Sequence, residues 1–232
     1  TADWEDVAAT CLDTLRFRSK DLQIAVWLLE SWIHLYGFKG LQIGLELLLK
    51  LSQEFWEEIF PLAEDEDLES RVSPYIWLDE KLQVTLKLVP ILMGEVDRFR
   101  YRYGDWEKAT LHTNQIRKGD LEDKGKVLTQ KLILEDSRQV SQGFFPNEKQ
   151  VLVGVLGHLE ALEQFLDEKC GQTSPGLLRL KKVLESILRL VEKIIDFRGE
   201  QALATPAENL TEDVPMKEEP EKATKKNIKE TA

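Results

Sequence analysis

Apolar residues recur along most of this chain every three or four positions, the spacing that gathers them on one face of a helix. Val7, Ala8, Cys11, Leu12 and Leu15 form the first such stripe. Asp3 stands before it as a cap, and Glu5 and Asp6 suit the positive helix end. Ser19 is placed to cap a second helix, whose buried stripe is Leu22, Ala25, Val26, Leu29, Ile33 and Tyr36. Gly37 then serves as a C-terminal cap. A third helix is predicted from about Phe38 to Phe60. Its Leu47-Leu48-Leu49 triplet faces several directions, as in a central helix, and Pro61 stops it.

Beyond Pro61 the pattern weakens. A helix is predicted from Leu68 to about Leu78. The run 81–92 alternates like a short strand, yet Pro90 and the helical surroundings point to a connector or a short helix. Asp105 is the expected cap of a helix ending near Arg117 or Lys118, and another is predicted over Leu121 to Gln139. The pattern then strengthens. Asn147 is the expected cap of a stripe running Val151, Leu152, Val155, Leu156, Leu159, Leu162 and Leu166. Gly171 and Pro175 separate it from Leu177, Leu180, Leu184, Ile187, Leu188, Val191, Ile194 and Ile195. Two long amphipathic helices with a short loop make an antiparallel hairpin. The expected fold class is therefore all-α: an irregular multi-helix bundle with a C-terminal helical hairpin over 1–199.

After Gly199 the composition changes. Residues 200–232 hold three prolines, no aromatic residue, eight acids and five lysines, which cannot build a core. This predicts a disordered charged linker or tail, with a further domain expected beyond it. The start at Thr1 rather than Met predicts a piece of a longer protein.

Charge and chemistry narrow the function classes. The formal net charge is −11, and no basic stripe with interleaved aromatics occurs, so nucleic acid is not an expected partner. Leu22 to Leu51, the richest apolar run, is interrupted by Glu30, His34, Lys39, Glu46 and Lys50, which argues against membrane insertion. Two distant cysteines, Cys11 and Cys170, make no disulfide framework. With no signal-peptide pattern, the expected location is cytoplasmic.

His34, His112 and His158 lie far apart and in no metal-binding spacing, and no nucleophile elbow or phosphate loop occurs. The sequence thus predicts no catalytic residue, metal or cofactor. Glu57, Glu58, Glu64, Asp65, Glu66, Asp67 and Glu69 form an acidic patch. It lacks the central glycine of a calcium loop and reads as a solvated turn. Asp13 and Asp21 flank Arg16, Arg18 and Lys20, a pattern that suits a salt-bridged corner. Trp27 and Trp32 are five apart and cannot share one narrow stripe. One then lines the core while the other meets a neighbouring helix or a partner, and Trp56 is expected to pack under the Pro61 turn.

The run Asp3-Trp4 through Val7, then Lys20 to Leu28, resembles the N-terminal region of the ImpA-related family, which includes the TssA proteins of the bacterial type VI secretion system. The resemblance continues through Gly37, Gly40-Leu41, Gly44-Leu45, Leu48, Phe55-Trp56 and Phe60-Pro61, then Arg71 and Tyr103 to Trp106. It departs from the family at Gln23, where a basic residue is usual, and in lacking the chain that usually precedes Asp3 and the domains that usually follow.

The resemblance implies a non-enzymatic assembly or docking module contacting baseplate, membrane-complex or tube and sheath proteins. A helical adaptor of another complex is the alternative. Asp21, Leu22, Ala25, Trp27, Gly37, Gly40, Leu41, Leu45, Trp56 and Pro61 match the family as fold residues. Trp32 and the acids Glu64, Asp65, Glu66 and Asp67 are candidate interface residues. A homodimer through the Leu177–Ile195 stripe is possible for this chain, and by resemblance a further C-terminal domain would form a higher oligomer.

Overall fold

A computed structural model describes residues 2–63, 68–94, 100–120 and 127–199. The chain is an all-α irregular bundle. Its helices are α1 (Trp4–Phe17), α2 (Leu22–Phe55), α3 (Glu69–Leu88), α4 (Tyr103–Lys118), α5 (Gln130–Ser137), α6 (Phe144–Cys170) and α7 (Leu178–Arg198). A short 3-10 turn, Gly171–Thr173, follows α6. Two short strands, β1 (Pro90–Met93) and β2 (Arg100–Arg102), pair antiparallel.

The centre of the fold is α2, which is two helical limbs in one element. Gly37 sits at φ 61°, ψ −136°, a conformation that only glycine adopts without strain. There the chain turns back, so limb 38–55 lies antiparallel against limb 22–36. Gly40 and Gly44 face the first limb at very close range. A Cβ on Gly40 would collide with the Trp32 carbonyl, and one on Gly44 would lie 2.6 Å from Leu29 Cγ. The open ends of this hairpin are tied together: Leu22 N–H donates to the Phe60 carbonyl and Phe60 N–H to the Lys20 carbonyl, both at 2.8 Å.

Other helices wrap this hairpin. Asp3 caps α1 as expected, accepting from the backbone of Glu5 and Asp6 at 3.2 Å. α6 runs alongside the second limb, with Gly154 against Gln42 and Phe165 edge-on to Trp56 at 5.3 Å. α6 and α7 form the C-terminal helix pair, bridged by Lys149–Glu192 at 2.9 Å and Lys181–Glu163 at 3.1 Å. The α7 stripe Leu180, Val183, Leu184, Ile187, Leu190, Val191 and Ile194 is buried, and α7 packs on α3 and α6. The apolar face considered for a second copy is thus largely covered by the chain's own helices.

Several boundaries differ from expectation. The cap of α2 is Asp21, not Ser19: its carboxylate accepts from Gln23 N–H at 2.8 Å and Ile24 N–H at 3.2 Å. Tyr36 lies outside the buried stripe, at 62% exposure. The second limb ends at Phe55 rather than Phe60, and Trp56 through Phe60 turn into the cis Phe60–Pro61 bond.

α3 runs ten residues past Leu78. Leu78, Leu82 and Leu86 share its buried face, and the alternating Val84 and Leu88 point outward. β1 starts only at Pro90. Asp105 is not the cap of α4 but sits three residues inside it, accepting from the Arg102 backbone N–H at 2.9 Å. α5 covers 130–137 alone; 121–126 lie outside the described residues. α6 starts at Phe144, ahead of Asn147.

Candidate docking surface

α1 lies across the first limb of α2 in the opposite direction. At one end the Trp4 ring stacks on His34, centroids 4.0 Å apart and planes 6° from parallel. Burial lowers the His34 pKa from its ordinary value, so the neutral ring is favoured there. A cleft of about 310 Å³ opens between Val7, Thr10, Cys11 and Thr14 of α1 and Ile24 and Trp27 of α2, with Asp6 at its rim.

This cleft is apolar in spite of its composition. The Thr14 hydroxyl donates back to the Thr10 carbonyl at 2.9 Å and is turned onto its own helix. The Cys11 thiol is pushed up by burial and stays protonated near neutral pH. Trp27 stands beside the opening at 43% exposure. A large indole beside a carbon-lined slot is suited to receiving an apolar side chain of another element.

The sequence-predicted residues separate into distinct places. Leu22, Ala25, Gly40, Leu41 and Leu45 lie in the core of the α2 hairpin, and Gly37 is its bend. Trp56 is buried under Arg71 and Phe165. Pro61 holds the turn after it, where its carbonyl accepts from Arg71 Nε at 3.0 Å. Trp32 is half-buried and packs against the core, whereas Trp27 is the more open of the two. Glu64, Asp65, Glu66 and Asp67 lie outside the described residues.

The corner at 13–21 is only partly ionic. Arg18 pairs with Asp13 at 3.0 Å, but Lys20 donates to the Leu15 carbonyl and Asp21 is spent on its cap. Sequence reading missed the α1 side of the cleft. Val7 and Cys11 read as core positions, and only the packing of α1 on α2 shows that their outer edges line an opening.

Among the described residues no group of three or more His, Cys, Asp or Glu is placed to hold a metal ion. The histidines stay apart. His34 stacks on Trp4, and His112 Nδ1 lies 3.0 Å from the Leu128 carbonyl. Cys11 and Cys170 are both buried free thiols. Among the described residues no helix is long and apolar enough to cross a membrane.

A helical bundle with an indole-edged apolar cleft defines a protein–protein interaction module. Residues 1–80 match the family described as ImpA, N-terminal, type VI secretion system. Over 65 residues, 28% of this chain, the sequence is 38% identical to the type VI secretion system component TssA1 of Pseudomonas aeruginosa. That match spans only 19% of the relative's length. The fold is similar to the solved N-terminal domain, including the conserved ImpA_N region, of the TssA component from Burkholderia cenocepacia. The TM-score is 0.76 and the identity 30%, covering 86% of this chain and 81% of that one. The chain therefore belongs to the TssA-like, ImpA-related family of type VI secretion proteins.

Proposed function

We propose that this chain is a non-enzymatic docking module of a TssA-like assembly protein, and that it contacts baseplate, membrane-complex or tube and sheath components of a type VI secretion system. The observation that carries this reading is the likeness to the solved TssA N-terminal domain over most of both chains. The α1–α2 cleft, edged by Trp27, is the docking surface in this proposal. Tryptophan is favoured at the energetic centre of interfaces, and an apolar slot beside it takes an anchor side chain from a partner helix or loop. Trp32 and the acids Glu64 to Asp67 are secondary contact candidates that flank or follow the same hairpin in sequence.

Pull-down of the purified chain against separately purified baseplate, sheath and membrane-complex proteins tests this. Retention of one of them by the wild-type chain is expected. Retention of none would overturn the docking assignment.

A further inference from the structure

A second opening, larger than the α1–α2 cleft, runs between α4 and α7. It encloses about 670 Å³. Its floor is aromatic and apolar, made by Tyr103, Trp106 and Leu190, and its α7 wall carries Arg189 and Lys193. Among the described residues the one carboxylate in the lining, Glu107, is already held by Lys87, whose Nζ lies 2.9 and 3.1 Å from its two oxygens. Among the described residues Arg189 donates only to the neighbouring Ser186 hydroxyl, at 3.2 Å, and Lys193 lies 5.0 Å from the centre of the Trp106 ring. Among the described residues neither cation pairs with a carboxylate, although Glu185 and Asp196 lie within one turn on the same helix. The groove is therefore cationic on one wall and greasy at the base.

The sequence just after α7 has the complementary character. Residues 200–216 carry Glu200, Glu208, Glu212 and Asp213 and no lysine or arginine, and they interleave Leu203, Leu210, Val214 and Met216. All five lysines of the region beyond 199 come later, from Lys217 onward. Position also favours this segment. The row Arg189, Lys193, Phe197 leads along α7 to Gly199, whose backbone at φ 68° takes the chain out of the helix. Lys193 is six residues before Gly199, about 9 Å along the axis. Nine extended residues from Gly199 to Glu208 reach up to about 30 Å, ample to turn back. A short tether of this kind holds the segment at an effective concentration in the millimolar range, so weak exposed ion pairs and a few apolar contacts suffice.

We propose that residues 200–216 dock in cis in the α4–α7 groove, with Glu208, Glu212 and Asp213 against Arg189 and Lys193 and the intervening apolar side chains over Trp106. The docked segment would set the direction in which the following residues leave the bundle. This proposal is independent of the partner-binding reading above, because it concerns a different face.

Zero-length carbodiimide cross-linking of the full chain, read by mass spectrometry in the monomer fraction, tests it. Cross-links from Lys193 to Glu208, Glu212 or Asp213 are expected to dominate those from the tail acids to lysines elsewhere, such as Lys50 and Lys131. Arg189→Glu, an exposed change checked for retained helicity by circular dichroism, should cut the Lys193 cross-link about fivefold. Tail cross-links spread evenly over the surface lysines would overturn the proposal. So would Lys193 cross-links confined to dimers, which would place a second copy in the groove, or a yield unmoved by Arg189→Glu.

Discussion

Arg71 shows how one side chain can finish a fold. It is 3% exposed, and its guanidinium donates to three carbonyls at the end of the α2 hairpin: Trp56 at 2.5 Å, Ile59 at 3.2 Å and Pro61 at 3.0 Å. The same group lies over the Trp56 ring at 5.2 Å. A helix end leaves carbonyls without partners, and here a residue from the next helix supplies them. Arg71→Met keeps the volume but orphans those oxygens, and should cost about 3 kcal/mol in urea unfolding. Lysine should rescue little, because it cannot fork to three acceptors. Glu148 is the opposite case. It makes no hydrogen bond or ion pair among the described residues, and burial raises its carboxyl above the ordinary 4.5. The folded state then holds a proton that the unfolded chain releases, so this residue's contribution is full below pH 4.5 and is lost as pH rises through the folded value. Glu148→Gln should therefore melt higher than wild type at pH 7, with the gap closing as pH falls through the raised folded value toward 4.5.

Element boundaries followed the sequence where the signal was local. Asp3 caps α1, Gly37 bends α2, Gly119 ends α4, and Gly171 with Pro175 separates α6 from α7. These residues act on their own backbone, so their chemistry is legible without the fold. Readings failed where distant partners decide. The 81–88 run alternates, but Leu82 and Leu86 follow Leu78 into the core and the helix continues. The start of α7 depends on another helix: Leu177 offers no side-chain cap, and buried Asp79 of α3 accepts the Leu180 N–H at 2.8 Å, with Arg179 Nε 3.9 Å away. That contact joins residues about a hundred positions apart, beyond any pattern along the chain. Asp79→Ala should lower stability by about 2 kcal/mol and speed amide exchange first in the opening turn of α7. Equal loss of protection throughout the bundle, with α7 no faster than α2, would count against an end-specific role. The candidate cleft was not legible in the sequence: of the two tryptophans that could not share a stripe, Trp32 was the expected interface residue and Trp27 a fold residue, and Trp27, Val7, Thr10, Cys11 and Thr14 became a surface only once α1 lay on α2.

At the scale of the molecule, the apolar stripes are mostly consumed within it. α6 and α7 close against α2 and α3, which leaves the α1–α2 cleft with Trp27 as an apolar opening away from the C-terminal pair. The close glycine-mediated packing of the α2 hairpin makes a stiff base for that opening, since Gly40 and Gly44 fix how the two limbs meet. A rigid base favours docking because little order remains to be imposed on binding. Family membership supplies the setting of a secretion machine, and the cleft is the place of contact in the proposal made above. The most direct test is the affinity of the full chain for the secretion-system component that it retains, measured by calorimetry for wild type and Trp27→Ala. Trp27 is well exposed, so the variant should keep its fold, checked by its melting temperature. An affinity loss of about 30-fold is expected for Trp27→Ala, equivalent to ~2 kcal/mol. Unchanged affinity in a folded Trp27→Ala chain would contradict it.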